Sequence, residues 1–463
     1  MKFDIIVIGS GPGGYVAAIR AAQLGYSTAI VEKENLGGIC LNWGCIPTKA
    51  LLKSAQVFNY LKHTSDYGIE LEGVAKPNMD AIVNRSRGVA ENMSKGVQFL
   101  MKKNNIQVIE GYAKLAQGKK VEVELKDGSK EIYEADHIIL ATGARSRELP
   151  NLPQDGKKII GYREAMTLRT QPESMVVVGS GAIGSEFAHF YQSIGTKVTL
   201  VEFMPTIVPN EDAEVASTLQ RAFKKNGMKV LTSTSVEAVD TTGDKLKVTL
   251  KGKKGEETIE ADIVLSAVGV STNIENLGLE ELGVKTERTK VIVDDYYRTN
   301  IEGVYAIGDI VHGPALAHVS SKEALICVEA INGLNPRPIS YDNIPGCTYT
   351  TPEIASVGLT EEKAKEAGKE IKVGKFMYMA SGKASASGNR DGFVKVIIDA
   401  NTDELIGCHM IGDNVTEMIA EAVLARENKI NAHHIIDAVH PHPTMSEAMM
   451  EAIEAAYGKA IHG

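Results

Sequence analysis

Cysteine is scarce in this chain, and long runs of basic or apolar residues are missing from it. Without a block of Lys or Arg, and with a net charge of −9 and a pI near 5.8, the sequence argues against a nucleic-acid binder. No apolar stretch is long enough to span a bilayer, so no membrane partner is expected. The opening "MKFDIIVIGSG" holds only a short apolar run that ends in glycines rather than at a cleavage site, and it reads as a strand. The expected location is therefore the cytoplasm. There, closely spaced cysteines serve catalysis or metal binding more often than structure. No low-complexity linker divides the 463 residues, yet that length calls for two to four domains.

A repeat is present. "DIIVIGSGPGGYVAAIRAAQLGYSTAIVEK" from Asp4 matches "SMVVVGSGAIGSEFAHFYQSIGTKVTLVEF" from Ser174 at a constant offset of 170 positions. Gly9, Gly11 and Gly14 fall on Gly179, Gly181 and Gly184, and Glu32 falls on Glu202. Each copy reads as strand, Gly-x-Gly-x-x-Gly, amphipathic helix, second strand, acid. The first glycine permits a tight turn, the second lets backbone approach a pyrophosphate, and the third lets helix and strand pack closely. The helix start offers free N–H groups to phosphate, and the acid accepts from a ribose hydroxyl. Pro12 sits where a helix tolerates proline. Two such copies predict two bound dinucleotides. Glu202 repels a 2′-phosphate, and "EFMP" supplies no cation for one, which favours NAD over NADP at the second site.

Two of the five cysteines, Cys40 and Cys45, stand together in "GGICLNWGCIPTKALL" and enclose the only tryptophan, Trp43. Three readings compete: two buried thiols, a zinc site, or a redox disulfide. Zinc lacks a second ligand pair nearby. A bridge between residues five apart needs a bend, which Gly44 and Pro47 allow. Spacing alone does not choose among the three. Near the other end, Pro441 and Pro443 keep His442 out of any helix interior. Glu447 opens a helical stretch that Ser446 is placed to cap. His442 and Glu447 read as a pair in which the carboxylate orients the ring and raises its pKa. The neighbouring His433, His434 and His440 match no common metal spacing, so no metal is expected. Cys327, Cys347 and Cys408 read as core residues.

The cysteine segment resembles the active-site segment of the pyridine nucleotide–disulfide oxidoreductases. It is closest to the branch acting on dihydrolipoyl groups, which carries Cys-Leu-Asn-x-Gly-Cys. The likeness runs along the whole chain through "ILATGAR", "VYAIGDI", "PALAHVSSKEA", "YTTPEIASVGLTEEKA" and "HPHPTMSE". It implies an α/β fold of two Rossmann-like dinucleotide-binding domains plus a C-terminal α+β dimerisation domain. FAD would be bound by residues 1–147 and 271–340, NAD by 148–270, and the partner subunit by 341–463. The resemblance implies a redox disulfide Cys40–Cys45, a base at His442 with Glu447, and a Lys49–Glu186 pair beside the flavin. It implies FAD contacts at Gly9, Gly11, Gly14, Glu32, Lys49, Ala113, Thr142, Gly143, Asp309 and Ala317. NAD contacts would fall at Gly179, Gly181, Gly184, Glu202, Val236 and Gly269. The implied activity is oxidation of protein-bound dihydrolipoyl groups by NAD+. The implied partners are lipoyl domains of 2-oxo acid dehydrogenase complexes, or the lipoyl carrier of glycine cleavage, and a second copy of the chain, with His442 reaching the cysteines of the other subunit. Two departures stand out: "AVGVSTN" carries Val270 and Thr272 where the family commonly has Arg and Pro.

Overall fold

The computed structural model describes residues 1–462. The opening apolar run forms the strand Lys2–Ile8, whose Ile5, Ile6 and Val7 are fully buried. A strand buried on both faces suits a parallel sheet covered by helices. It pairs in parallel with Thr28–Glu32 on one side and Lys130–Leu140 on the other. Gln107–Ala116 extends the sheet beyond the first of these, and Val304–Ala306 beyond the second. The chain thus returns to its first sheet after a long excursion. An antiparallel strand, Lys120–Leu125, links Gln107–Ala116 to Lys130–Leu140.

The second glycine motif follows Ser174–Val178, the middle of a five-stranded parallel sheet. Lys197–Val201 and then Lys229–Leu231 lie on one side of it, and Ile263–Ser266 and then Ile159–Ile160 on the other. Its companion is a three-stranded antiparallel sheet over residues 235–261. Between the two nucleotide units the chain crosses twice. The outgoing strand Ala144–Ser146 and the returning strand Val270–Thr272 pair antiparallel.

The C-terminal sheet is antiparallel, with five strands: Gly346–Thr348, Glu353–Gly358, Leu405–Gly412, Phe393–Asp399 and Ile371–Met377. The helices Val415–Glu427 and Glu447–Ala456 pack on it. Lys395, 3% exposed, anchors this sheet to the second unit through Asp212 Oδ2 at 3.1 Å and Glu214 Oε1 at 3.0 Å. Glu361 Oε2 lies 2.7 Å away on the lysine's own side. Three carboxylates around one buried ammonium compensate its desolvation; losing the lysine would strand the buried Asp212, whereas Glu214 and Glu361 keep Lys375 and Lys365. No helix is long and apolar enough to cross a membrane among the described residues.

Candidate active site

Each glycine turn is built the same way, and each glycine has its own reason. Gly9 and Gly179 lie at φ +97° and +94°. A Cβ on them would sit 2.3 Å from Ala141 O and 2.4 Å from Ala267 O. A Cβ on Gly14 or Gly184 would lie 1.9 Å from the carbonyl of Gly9 or Gly179. Gly11 and Gly181 differ, because a Cβ there meets nothing within 4 Å. Both instead face a cavity of about 2270 Å³. The helices that follow, Pro12–Gln23 and Ala182–Ile194, have no side-chain cap and no acid in the first turn. Their free N–H groups and positive dipole ends are left for an anion.

Glu32 and Glu202 close the two motifs. Glu32 Oε2 accepts from Ser10 N at 3.0 Å and Ser10 Oγ at 2.6 Å. Glu202 Oε2 accepts from Ser180 at 2.8 and 2.6 Å in the same manner. These fully buried serines hold the acids in place, a role the sequence reading did not assign. The cavity far exceeds the ~300–1,000 Å³ that suits one drug-sized ligand. Its volume, open glycines and uncapped helix starts fit two dinucleotides.

The cysteine segment does not form one straight helix. Gly38–Trp43 and Cys45–Lys62 are separate helices that break at Gly44. A Cβ at Gly44 would approach Ile39 O to 3.1 Å and Cys40 Cα to 3.4 Å. This close turn brings the cysteine Cα atoms to 4.7 Å, and the two are joined as a disulfide. Pro47 stands in the first turn of the second helix, where its missing N–H has no helical partner to lose. Both cysteines line the cavity, as does Trp43. The Trp43 ring packs against Arg87 and Arg163, whose guanidinium carbons are 4.2 and 5.1 Å from its centroid. Its buried indole N–H has no hydrogen-bond partner.

One helical turn after Cys45, Lys49 Nζ lies 2.9 Å from both carboxylate oxygens of Glu186. Two further contacts from Tyr349 fix that pair. Its N–H donates to Glu186 Oε1 at 3.0 Å, and its ring centroid is 4.1 Å from the ammonium. Tyr349 was missed, although it opens one of the quoted motifs. At the far wall, burial pushes the Asp309 carboxyl up, and nearby Lys290 moderates the rise. Behind it stands Glu323, 1% exposed, which was also missed. It accepts from Gly308 N at 2.6 Å and Tyr341 Oη at 2.7 Å, and burial pushes its carboxyl to about 7.

The cavity wall also includes Ala113, Thr142, Gly143, Ala317, Val236 and Gly269. Cys347 lines it too, so it is not a core residue like the fully buried Cys327 and Cys408. Burial pushes its thiol up to about 11. His442 and Glu447 are not on that wall. They do meet each other. His442 Nδ1 lies 2.8 Å from Glu447 Oε1, and Thr444 N donates to Glu447 Oε2 at 2.9 Å. Partial burial raises the Glu447 carboxyl, but these two contacts outweigh it and hold it below its usual range. The His442 ring is 76% exposed, and its second nitrogen is free to act. Ser446 precedes the helix as expected but makes no side-chain cap bond; the nearby helical amides of Ala448 and Met449 donate instead to the backbone carbonyls of Met445 and Ser446. Among the described residues, no cluster of His, Cys, Asp and Glu suits a metal ion.

Two dinucleotide cradles and a disulfide on one cavity wall define a pyridine-nucleotide disulfide reductase scaffold. Residues 3–324 match the pyridine nucleotide-disulphide oxidoreductase family, and residues 344–453 match its dimerisation domain. The chain belongs to that family. It is 50% identical to dihydrolipoyl dehydrogenase of Rhizobium etli, over 100% of this chain and 99% of that one. Dihydrolipoyl dehydrogenase of Bacillus subtilis is 42% identical, with 100% and 99% covered. The crystal structure of LpdA from Mycobacterium tuberculosis superposes with a TM-score of 0.90 at 28% identity, over 97% of this chain and 99% of that one.

Proposed function

We propose that the protein is a cytoplasmic, homodimeric dihydrolipoyl dehydrogenase that uses FAD and NAD+. Its substrates are the dihydrolipoyl groups of 2-oxo acid dehydrogenase complexes or of glycine cleavage. The observation that carries this reading is the Cys40–Cys45 disulfide on a cavity shared by both glycine turns. Full-length likeness to dihydrolipoyl dehydrogenases supports the substrate class.

Residues 1–147 and 271–340 hold FAD, 148–270 hold NAD, and 341–463 make the dimer. His442, oriented through Nδ1 by Glu447, takes a proton on its other nitrogen from one substrate thiol. The thiolate attacks Cys40 Sγ, forming a mixed disulfide and releasing Cys45 as a thiolate. The second substrate sulfur displaces Cys40, and lipoyl disulfide leaves. The substrate's electron pair now rests on the two cysteine sulfurs. Lys49 keeps a positive charge one turn beyond Cys45, with Glu186 and Tyr349 fixing its place. FAD, when bound, supplies the route for that pair to NAD+. Glu202, held by Ser180, leaves a negative carboxylate where NADP would bring its extra phosphate.

Anaerobic turnover of dihydrolipoamide with NAD+, followed as NADH absorbance, tests this reading. Rapid turnover is expected with NAD+, and little with NADP+ or with glutathione as substrate. Bound flavin without dihydrolipoamide turnover would discard the lipoyl assignment. A single substitution separates the two cradles. In Gly184→Ala, the new methyl meets the Gly179 carbonyl at 1.9 Å, so the second turn must shift. At least ~10-fold weaker binding of ADP-ribose is expected by titration calorimetry. Flavin content should be unchanged, and equal loss of both would refute separate cradles.

A further inference from the structure

The repeat extends past the glycine motifs. "ATGARSR" from Ala141 and "AVGVSTN" from Ala267 follow the corresponding sheet strands of the two units. Ala141 N donates to Ile8 O and Ala267 N to Val178 O, both at 2.8 Å. Gly143 and Gly269 both lie at positive φ, and a Cβ on either would meet nothing within 4 Å. The strands that follow pair with each other, Ser146 against Val270 and Ala144 against Thr272. Two bonds flank this ladder and mirror one another: Asn273 N donates to Gly143 O at 2.9 Å, and Arg147 N donates to Gly269 O at 3.1 Å. The crossover is therefore a local pseudo-twofold. Asn273 stands over the loop of the first nucleotide unit, and Arg147 over the loop of the second.

The two side chains differ in what they do. Asn273 is spent inside the protein, donating to Thr142 O and accepting from Arg145. Arg147 is exposed, lines the cavity, and makes no side-chain hydrogen bond or ion pair among the described residues. The other guanidiniums on that wall are engaged, Arg145 with Glu275 and Arg163 with Glu34. Lys49 is held by Glu186. The returning strand Val270–Thr272 carries no cation at this point.

We propose that Arg147 is the residue that binds the diphosphate of the nicotinamide dinucleotide, supplying from the outgoing strand the charge that Val270 does not supply from the returning one. Arg147 is bonded through its backbone to Gly269 and its side chain lines the same cavity, and a planar guanidinium suits bidentate contact with phosphate. The assignment rests on the NAD reading of the second cradle.

The test is titration calorimetry on the flavin-loaded protein with ADP-ribose, which carries the diphosphate and no reactive ring, and with adenosine, which carries no phosphate. Arg147→Gln should weaken ADP-ribose about 10- to 100-fold, the range for losing charge-assisted hydrogen bonds. Adenosine binding, flavin content and melting temperature should stay as in the parent. Arg147→Lys should fall between the two, and Val270→Arg added to Arg147→Gln should restore binding. Unchanged ADP-ribose affinity in Arg147→Gln would overturn the proposal, as would equal weakening of adenosine or loss of flavin. If the parent protein itself ignored ADP-ribose, the NAD reading would fall and this assignment with it.

Discussion

A Cys45→Ser variant is expected to fold, keep its flavin and bind ADP-ribose, yet lose dihydrolipoamide turnover by at least ~10³-fold. The substitution exchanges one small side chain for another at the start of the helix Cys45–Lys62. That helix is held by its buried Ala50, Leu51, Leu52 and Ala55, none of which changes. What changes is the chemistry. A serine oxygen cannot close a disulfide with Cys40, so no sulfur–sulfur bond is left for a substrate thiolate to open. Steady-state NADH formation and flavin absorbance, measured on the same preparation, check both halves. Turnover near that of the parent would place the redox centre elsewhere.

His442→Gln is expected to lower the same turnover by ~10²–10⁴-fold, the usual worth of a positioned acid–base group. Glutamine keeps a polar side chain beside Glu447 but cannot cycle a proton. The more informative experiment is a mixture. His442 is exposed and lies off the wall that carries the cysteines of its own chain. If it serves the partner's disulfide, a dimer of one Cys45→Ser and one His442→Gln subunit holds one whole site, formed from the intact disulfide of one chain and the intact histidine of the other. Co-refolding the two inactive variants should then restore part of the activity. No recovery, with mixed dimers present by mass, would show that each histidine serves its own chain.

The parts of the site that were legible in the sequence are those where a local backbone need selects a residue type. Gly9 and Gly179 are glycine because of their dihedral angles and the carbonyls beside them, and that need repeats at a readable interval. Glu32 and Glu202 follow at a fixed distance, each bonded to the serine of its own glycine turn. The pairing of Lys49 with Glu186 is of another kind. It joins residues 137 positions apart, and only the resemblance pointed to it. Tyr349 and Glu323 act through tertiary contacts that no short window of sequence contains. The break at Gly44 is an intermediate case. A bend was needed for any bridge, but its place between two helices follows from how closely Gly44 packs on Ile39 and Cys40.

Trp43 stands between the two redox cysteines and is the chain's single tryptophan. Indole fluorescence from this protein therefore has one source, packed against two guanidiniums and sealed from solvent at its nitrogen. The molecule carries a native optical reporter at its reactive disulfide, with no second emitter of that kind to be subtracted and no label to be attached.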